Sequence, residues 1–562
     1  MNIDPGSSIS IEIANKWVVD CIENHKDCRP PSKTTATQEG TILPTRVIRI
    51  LNNDDLRLVS GASPGRYTIL SYCWGRPQEF ATTIDTIKSS RAGFKTHQLP
   101  KTLRDAVELT RSLGVEYLWI DALCIIQDSP DDKEIELQEM PSYYRNAYLT
   151  ICAGGSSCDD GFLTTKSAHC DDHLGMGIPR DLLNIPYFAP NGEIDDIFFR
   201  EENPYSLSDE PVSKRAWTFQ ERILSPRVLT YGGRMLWQCT TTQKSAGGVQ
   251  DWSFDTRSTS GREIKLGLAE MQKHSAQMTV KGKNNVKTGT KSQLKAARDY
   301  SLWYNAVEEF CERDITFPQD KLPAIAALAK EFASALKDEY VAGLLKADFL
   351  RGLLWSTWPN LDVQKPNKWR APTWSWASVE CSITYSRLPP LSATELAKIT
   401  KIEYTPTSGS FPYGEVTAGA VEIQAPVFSF DLEVMTDTLR KQYMMPAPQD
   451  SMEWRKLMLN PAKGGLGSNE DWKLKVDSIF LILLAEPIST DPDEDGGNGE
   501  NGDDDVDEIS DDEKIGLLHG LVLTPIEGEG EDGTYERVSS FSNLRVKGYL
   551  NLRKQEKTVR IV

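Results

Sequence analysis

The sequence predicts an α/β fold, a mostly parallel sheet flanked by helices, followed by a helical segment and a β-rich C-terminal region. Three short apolar runs carry that expectation: Tyr67–Tyr72 (YTILSY), Tyr117–Asp121 (YLWID) and Tyr148–Ala153 (YLTICA). Runs of this length suit strands buried on both faces. Between them, Leu99–Gly114 sets Leu103, Val107 and Leu113 near one helical stripe and stops at Gly114, a good C-cap residue. Asp132–Ala147 reads as a second helix. Strand, helix, strand, helix, strand is the alternation of a parallel sheet with helical crossovers.

The other elements follow in order. Ile9–Cys28 reads as a helix, and a loop-rich region separates it from the first strand. Arg215–Ile223 reads as a helix, and Arg227–Cys239 as a hairpin turning at Gly232–Gly233. Met271–Arg298 holds six Lys, one Arg and no acidic residue, the composition of a linker or unstructured insertion. Tyr300–Leu361 is expected to be mainly helical, and Trp369–Val379 to open the β-rich region. Ile479–Glu486 and Leu517–Pro525 read as two strands joined by an acidic insertion. The expected divisions are an N-terminal helix and leader (1–45), an α/β domain (46–245), a Lys-rich linker or insertion (246–298), a helical region (299–365) and a β-rich region (366–562), with 491–513 lacking regular structure.

Composition narrows the function classes. With 562 residues, 39% hydrophobic and 26% charged, the chain has the makeup of an ordinary globular protein of more than one domain. The net charge of −18 is concentrated locally: thirteen Asp or Glu and no Lys or Arg lie between Asp491 and Glu513, leaving −5 for the rest. No basic face is evident, which argues against nucleic-acid binding. No apolar stretch is long enough for a membrane span, and Met1–Pro5 does not open like a signal peptide. A cytoplasmic protein is expected, its ten scattered cysteines reduced.

Three blocks resemble the fungal heterokaryon-incompatibility (HET) family: YTILSYCWG (67–75), YLWIDALCIIQDSPDDKEIELQEMPSYYRNAYLTICA (117–153) and RAWTFQERILSPRVLTYGGRMLWQC (215–239). WVVDCIENHKDC before them and WRAPTWSWASV after them are similar to the wider architecture of such proteins. Lys133 and Pro141 depart from the pattern, standing where Trp and Gly are usual; a proline there should kink or restart the helix. The resemblance implies a role in non-self recognition and programmed cell death, exerted through self-association or protein partners. It also implies a distant likeness to Toll/interleukin-1 receptor (TIR) domains, a flavodoxin-like arrangement, some of which cleave NAD. No cofactor is expected, with NAD entering as a substrate.

Glu136 is the candidate catalytic residue. On a helical wheel it borders the apolar stripe of Leu137, Met140, Tyr144 and Ala147, where partial desolvation would raise its pKa. It would steady positive charge on the ribose as nicotinamide leaves; the alternative is a helix-face ion pair. Asp121 at a strand's carboxyl end either binds substrate or caps the next turn. Ser71, Tyr72, Trp74 and Gly75 are candidates for the opposite wall, with Trp74 stacking on a base or plugging the core. Arg215, Trp217, Gln220 and Glu221 read as buried ties between hairpin and sheet. Cys21, His25 and Cys28 form C-x3-H-x2-C but lack an evident fourth ligand, and His169, Cys170 and His173 form no clean pattern, so no metal is expected. GEGEDG (528–533) and GASPG (61–65) fit nucleotide and nucleophile motifs in letters only: the first is acidic, and the second precedes a strand.

Overall fold

The computed structural model describes residues 5–28, 41–51, 54–61, 63–76, 78–164, 183–188, 194–199, 210–233, 235–246, 260–281, 290–357, 366–385, 388–390, 393–409, 411–428, 479–487, 515–526, 534–547 and 556–562. The chain divides into two units, Met1–Thr259 and Ser260–Val562.

The helices of the first unit are α1 (Ser8–Asn24), α2 (Ile87–Ala92), α3 (Lys101–Ser112), α4 (Asp121–Cys124), α5 (Pro130–Asn146) and α6 (Ala216–Leu224). Its strands are β1 (Thr41–Ile42), β2 (Arg46–Ile50), β3 (Asp55–Ser60), β4 (Pro64–Gly65), β5 (Tyr67–Ser71), β6 (Phe94–Lys95), β7 (Tyr117–Trp119), β8 (Leu149–Ala153), β9 (Leu183–Phe188), β10 (Ile194–Phe199), β11 (Arg227–Tyr231), β12 (Met235–Cys239) and β13 (Gln243–Ser245).

Nine of these strands form one sheet in the order β13-β12-β11-β8-β5-β7-β2-β3-β6. The three expected strands lie side by side and parallel, Thr68 pairing with Leu118 on one side and Leu149 on the other. Strand β11 extends the parallel set beside β8. Every residue of β5, β8 and β11 is buried, which is why these segments are apolar without alternation. The quartet is wound in the order β7-β5-β8-β11, so the direction of winding reverses between β5 and β8.

The sheet as a whole is mixed, which corrects the expectation of a mostly parallel one. β2, β3 and β6 on one flank, and β12 and β13 on the other, run antiparallel to their neighbours. The β2–β3 hairpin lies in the stretch expected to be loop-rich. Its second strand, DLRLVS, buries Leu56 and Leu58 while exposing Arg57, the alternation of a strand with one solvated face. The hairpin Arg227–Cys239 forms as expected, Tyr231 opposite Met235.

Helix α3 buries Leu103, Ala106, Val107 and Leu109, and Gly114 follows it at φ 69°. Its polar residues hold the loop after β8: Asp105 accepts the Phe162 and Leu163 N–H groups at 2.6 and 3.0 Å. Helix α5 starts with Pro130 at its first position and the Ser129 side chain accepting the Asp132 N–H, a favoured start. Two expectations for α5 need correction. It continues through Pro141 as one helix, because flanking residues packed on the sheet hold the turn despite the missing N–H. Its buried residues are Glu136, Met140, Tyr143 and Tyr144, whereas Leu137 is 36% and Ile135 59% exposed.

Helix α1 belongs to the core of this unit. Ala14, Val18, Cys21 and Cys28 join the buried cluster of the sheet, and the Trp17 and Trp237 rings lie 6.5 Å apart.

In the second unit, Ser260–Lys281 and Thr290–Cys311 are helices that pack together. Where a Lys-rich linker or insertion was expected over 246–298, residues 260–281 and 290–298 are helical, in two helices that support each other. The region 299–365 adds the helix Ala326–Leu336 but also short antiparallel pairs such as Tyr340–Val341 with Leu344–Leu345. Seven strands from Thr394 to Ile561 form the β-rich sheet. Ile479–Pro487 pairs antiparallel with Ile515–Pro525. The acidic stretch 491–513 between them lies outside the described residues. In WRAPTWSWASV, Trp374 and Trp376 are fully buried, and Arg370 donates to the carbonyls of Pro318, Ala377 and Val379. Among the described residues no helix is long and apolar enough to cross a membrane.

Candidate functional site at the parallel strand ends

Where winding reverses between two parallel strands, the following chain segments diverge and leave room above the carboxyl ends. Ser71 ends β5 at this point, and Asp121 opens α4 just beyond β7. Asp121 therefore begins a helix instead of ending a strand, with both oxygens engaged. The Trp74 indole N–H donates to Oδ2 at 2.8 Å, and the Ala122 N–H to Oδ1 at 2.7 Å. The Tyr72 phenol also faces this carboxylate.

Two residues from α6 and its entry complete the cluster. Arg215 donates through Nη1 to the Tyr72 carbonyl, and its charge acts on both Asp121 and Glu221. Glu221 is 8% exposed and faces the Ser71 and Tyr144 hydroxyls. Burial pushes both carboxyls above the usual carboxylate range. Arg215 draws each of them back, as do Trp74 for Asp121 and Ser71 for Glu221. Burial also pushes the Tyr72 and Tyr144 phenols well up, keeping them neutral. Asp121 and Trp74 are half-buried, so they form the part of the cluster within reach of a ligand.

Gly75 shapes the loop beside them. It sits at φ 73°, and a Cβ there would come within 2.9 Å of the Ser157 Cα. The loops after β5 and β8 touch at this glycine, which accounts for its place in the sequence.

Glu136 lies in a different arrangement. It is 1% exposed, with Oε1 3.2 Å from Arg46 Nη2, and Oε2 accepts the Tyr143 hydroxyl at 3.0 Å. The same Arg46 nitrogen binds Asp132 at 2.6 Å, while its Nε donates to the Cys124 carbonyl. Burial raises the Glu136 carboxyl and Arg46 lowers it. No described hydrogen bond or ion pair joins Glu136 to Asp121 or to Ser71, Tyr72, Trp74 and Gly75. The candidates from β5 and β7 thus come together, Glu136 binds elsewhere, and Arg215, Glu221 and Tyr144 enter from segments read as packing. For Arg215 and Glu221 the one sequence signal is the density of ionic groups inside the otherwise apolar RAWTFQERIL.

The structure also gathers the N-terminal Cys21, His25 and Cys28 with Cys239 at the end of β12, every ligand atom lying within 4.8 Å of the others. His169, Cys170 and His173 lie outside the described residues.

A parallel core within a mixed sheet flanked by helices defines the first unit as an α/β domain. Residues 67–221 match the family model described as heterokaryon incompatibility protein (HET), and the chain carries a HET domain. It is 25% identical over 189 residues to heterokaryon incompatibility protein 6, OR allele, of Neurospora crassa. That match covers 29% of this chain and 28% of the relative's length. No solved structure matches the chain.

Proposed function

We propose that this protein is a heterokaryon-incompatibility effector that triggers cell death on non-self recognition, and that its HET domain acts by cleaving NAD. The observation that carries the catalytic part is the Trp74–Asp121 hydrogen bond, with the Arg215 charge acting on Asp121 and Glu221, at the reversal of winding. In the cleavage, water adds to the ribose anomeric carbon as its bond to the nicotinamide nitrogen breaks, releasing nicotinamide, ADP-ribose and a proton to solvent. Positive charge develops on the ribose, and a carboxylate poised beside it in a poorly hydrated cleft stabilises that charge. Asp121 takes this role, and Trp74 offers a flat face for a ring. Glu221 is a positioning residue acting through Ser71 and Arg215, and Glu136 is the buried counter-ion of Arg46.

The test measures nicotinamide release and cell killing in parallel. Asp121→Asn is expected to lower turnover a hundred- to a thousandfold, about 3–4 kcal/mol in the barrier. Glu136→Gln should leave turnover within about tenfold of the parent. Loss of turnover with Glu136→Gln and not with Asp121→Asn would overturn the assignment.

A non-catalytic adaptor is the second reading, supported by the exposed Ile135 and Leu137 on the two flanks of α5. Exposed apolar side chains on one helix suit a self-association surface. That reading expects no turnover at any concentration, and killing that survives Asp121→Asn but fails with Ile135→Asp.

A further inference from the structure

We propose that Cys21, His25, Cys28 and Cys239 form a tetrahedral zinc site that ties α1 to the edge of the sheet. Cys21 lies in the last turn of α1, and His25 is its C-cap at φ −103° and ψ 98°. There the chain leaves the helix and folds back through the short turn Lys26–Cys28, whose last N–H donates to the His25 carbonyl at 3.3 Å. That return places the third ligand beside the first two. Cys239 closes β12 and arrives from more than two hundred residues downstream, so sequence spacing could not reveal it.

The geometry suits one ion. Zinc–sulfur bonds of about 2.3 Å in a tetrahedron set the sulfur atoms about 3.8 Å apart, with nitrogen–sulfur edges about 3.5 Å. Cys239 Sγ lies 3.4 Å from His25 Nδ1, and all four ligand atoms fall within 4.8 Å of one another. Three thiols and one imidazole, with no oxygen ligand, select a soft or borderline cation over calcium or magnesium. A disulfide would use two of the three thiols and leave the third beside an unused imidazole. All three cysteines are at most 1% exposed and free. Four protein ligands leave no open position, so the role is structural.

Hydrogen-bond donors surround the sulfur atoms. The Thr242 N–H donates to Cys239 Sγ at 3.2 Å, and the Thr241 hydroxyl lies 3.5 Å from Cys28 Sγ. Such donors draw charge from the sulfur and orient it. Three thiolates on a divalent ion leave one net negative charge, and Arg227, whose Nη1 donates to the Cys28 carbonyl at 3.1 Å, stands beside it.

The experiment uses the full chain, purified reduced in chelator-free buffer and weighed by native mass spectrometry and elemental analysis. About one zinc per chain is expected. Exchange with Co2+ should give thiolate-to-cobalt charge transfer in the near ultraviolet and strong tetrahedral bands in the visible. Cys239→Ser should weaken zinc retention against a chelator at least tenfold and shift the cobalt bands, whereas Cys381→Ser in the second unit should change neither. A folded, reduced wild-type chain that takes up neither zinc nor cobalt stoichiometrically overturns the proposal. So does a Cys239→Ser chain that keeps the metal with an unchanged cobalt spectrum.

Discussion

Residue by residue, the first unit is governed by where carboxylates find a cation. Arg46 gathers Asp132 and Glu136 at 2.6 and 3.2 Å and a carbonyl from α4, joining β2, α4 and α5 through one side chain. Replacing Glu136 by Ala removes one buried partner of a buried guanidinium and leaves the Tyr143 hydroxyl with Thr45 alone. A loss of about 3 kcal/mol is expected, read as a lower denaturant midpoint for the first unit; an unchanged midpoint would show the pair to be energetically idle. The sequence revealed that Glu136 borders a buried surface, but not that it goes inside. A helical wheel ranks residues by hydrophobicity, and the partner that makes burying a carboxylate tolerable is ninety positions upstream. The same limit hid Glu221 and Arg215, whose counterparts Ser71 and Tyr72 lie on another element.

Among the elements, those best read from the sequence are buried on both faces. β5, β7 and β8 stand out because a continuous apolar run has no solvated side to interrupt it. β2 and β3 were missed because an antiparallel flank keeps polar side chains outward, and Arg49, Asp54 and Asp55 make that stretch resemble loop. Helix α5 shows a further limit. Pro141 removes an N–H yet the helix persists, since packing of Met140, Tyr143 and Tyr144 outweighs one lost hydrogen bond. Pro141→Ala restores the donor and should raise stability by up to about 3 kcal/mol without altering the fold, measured as a rise in melting temperature. A fall would mean that the proline sets a local geometry the sheet contacts need.

Across the whole molecule, the second unit carries two buried groups whose titrations oppose each other. Burial pushes Asp348 up to about 6 from 3.8, although Tyr304 and Arg351 pull against it. Between those values the folded chain holds more protons than the unfolded one, so this group makes stability fall as pH rises. Burial, with the charge of Arg351, pushes His519 down to about 4 from 6.5. There the unfolded chain holds more protons, so this group makes stability rise over nearly the same window. Each contribution is worth about 3 kcal/mol. Asp348→Asn should therefore expose a steeper rise of denaturant midpoint with pH than the parent shows, and His519→Gln a fall. Identical profiles for all three chains would remove these groups from the pH response. The acidic stretch is tested separately: Pro487 stands opposite Gly516, so a short turn can replace 488–514. That deletion should leave the melting temperature of the second unit within a few degrees, because loop length enters closure entropy only logarithmically. A cooperative loss of folding would assign the segment a structural part.

Helix α1 packs against β12, the Trp17 ring near that of Trp237. During synthesis the helix is made first and its docking partner among the last pieces of the unit. At translation rates of about 5–20 residues per second, α1 waits roughly 10–40 s before its seat exists. Throughout that interval Val18, Trp17 and three metal-competent side chains remain on a nascent chain with nothing to cover them. A ribosome stalled before Cys239 would thus present a sticky, thiol-bearing amphipathic segment to chaperones and oxidants. Once the hairpin emerges, the same segment folds onto it, fastening α1 to β12.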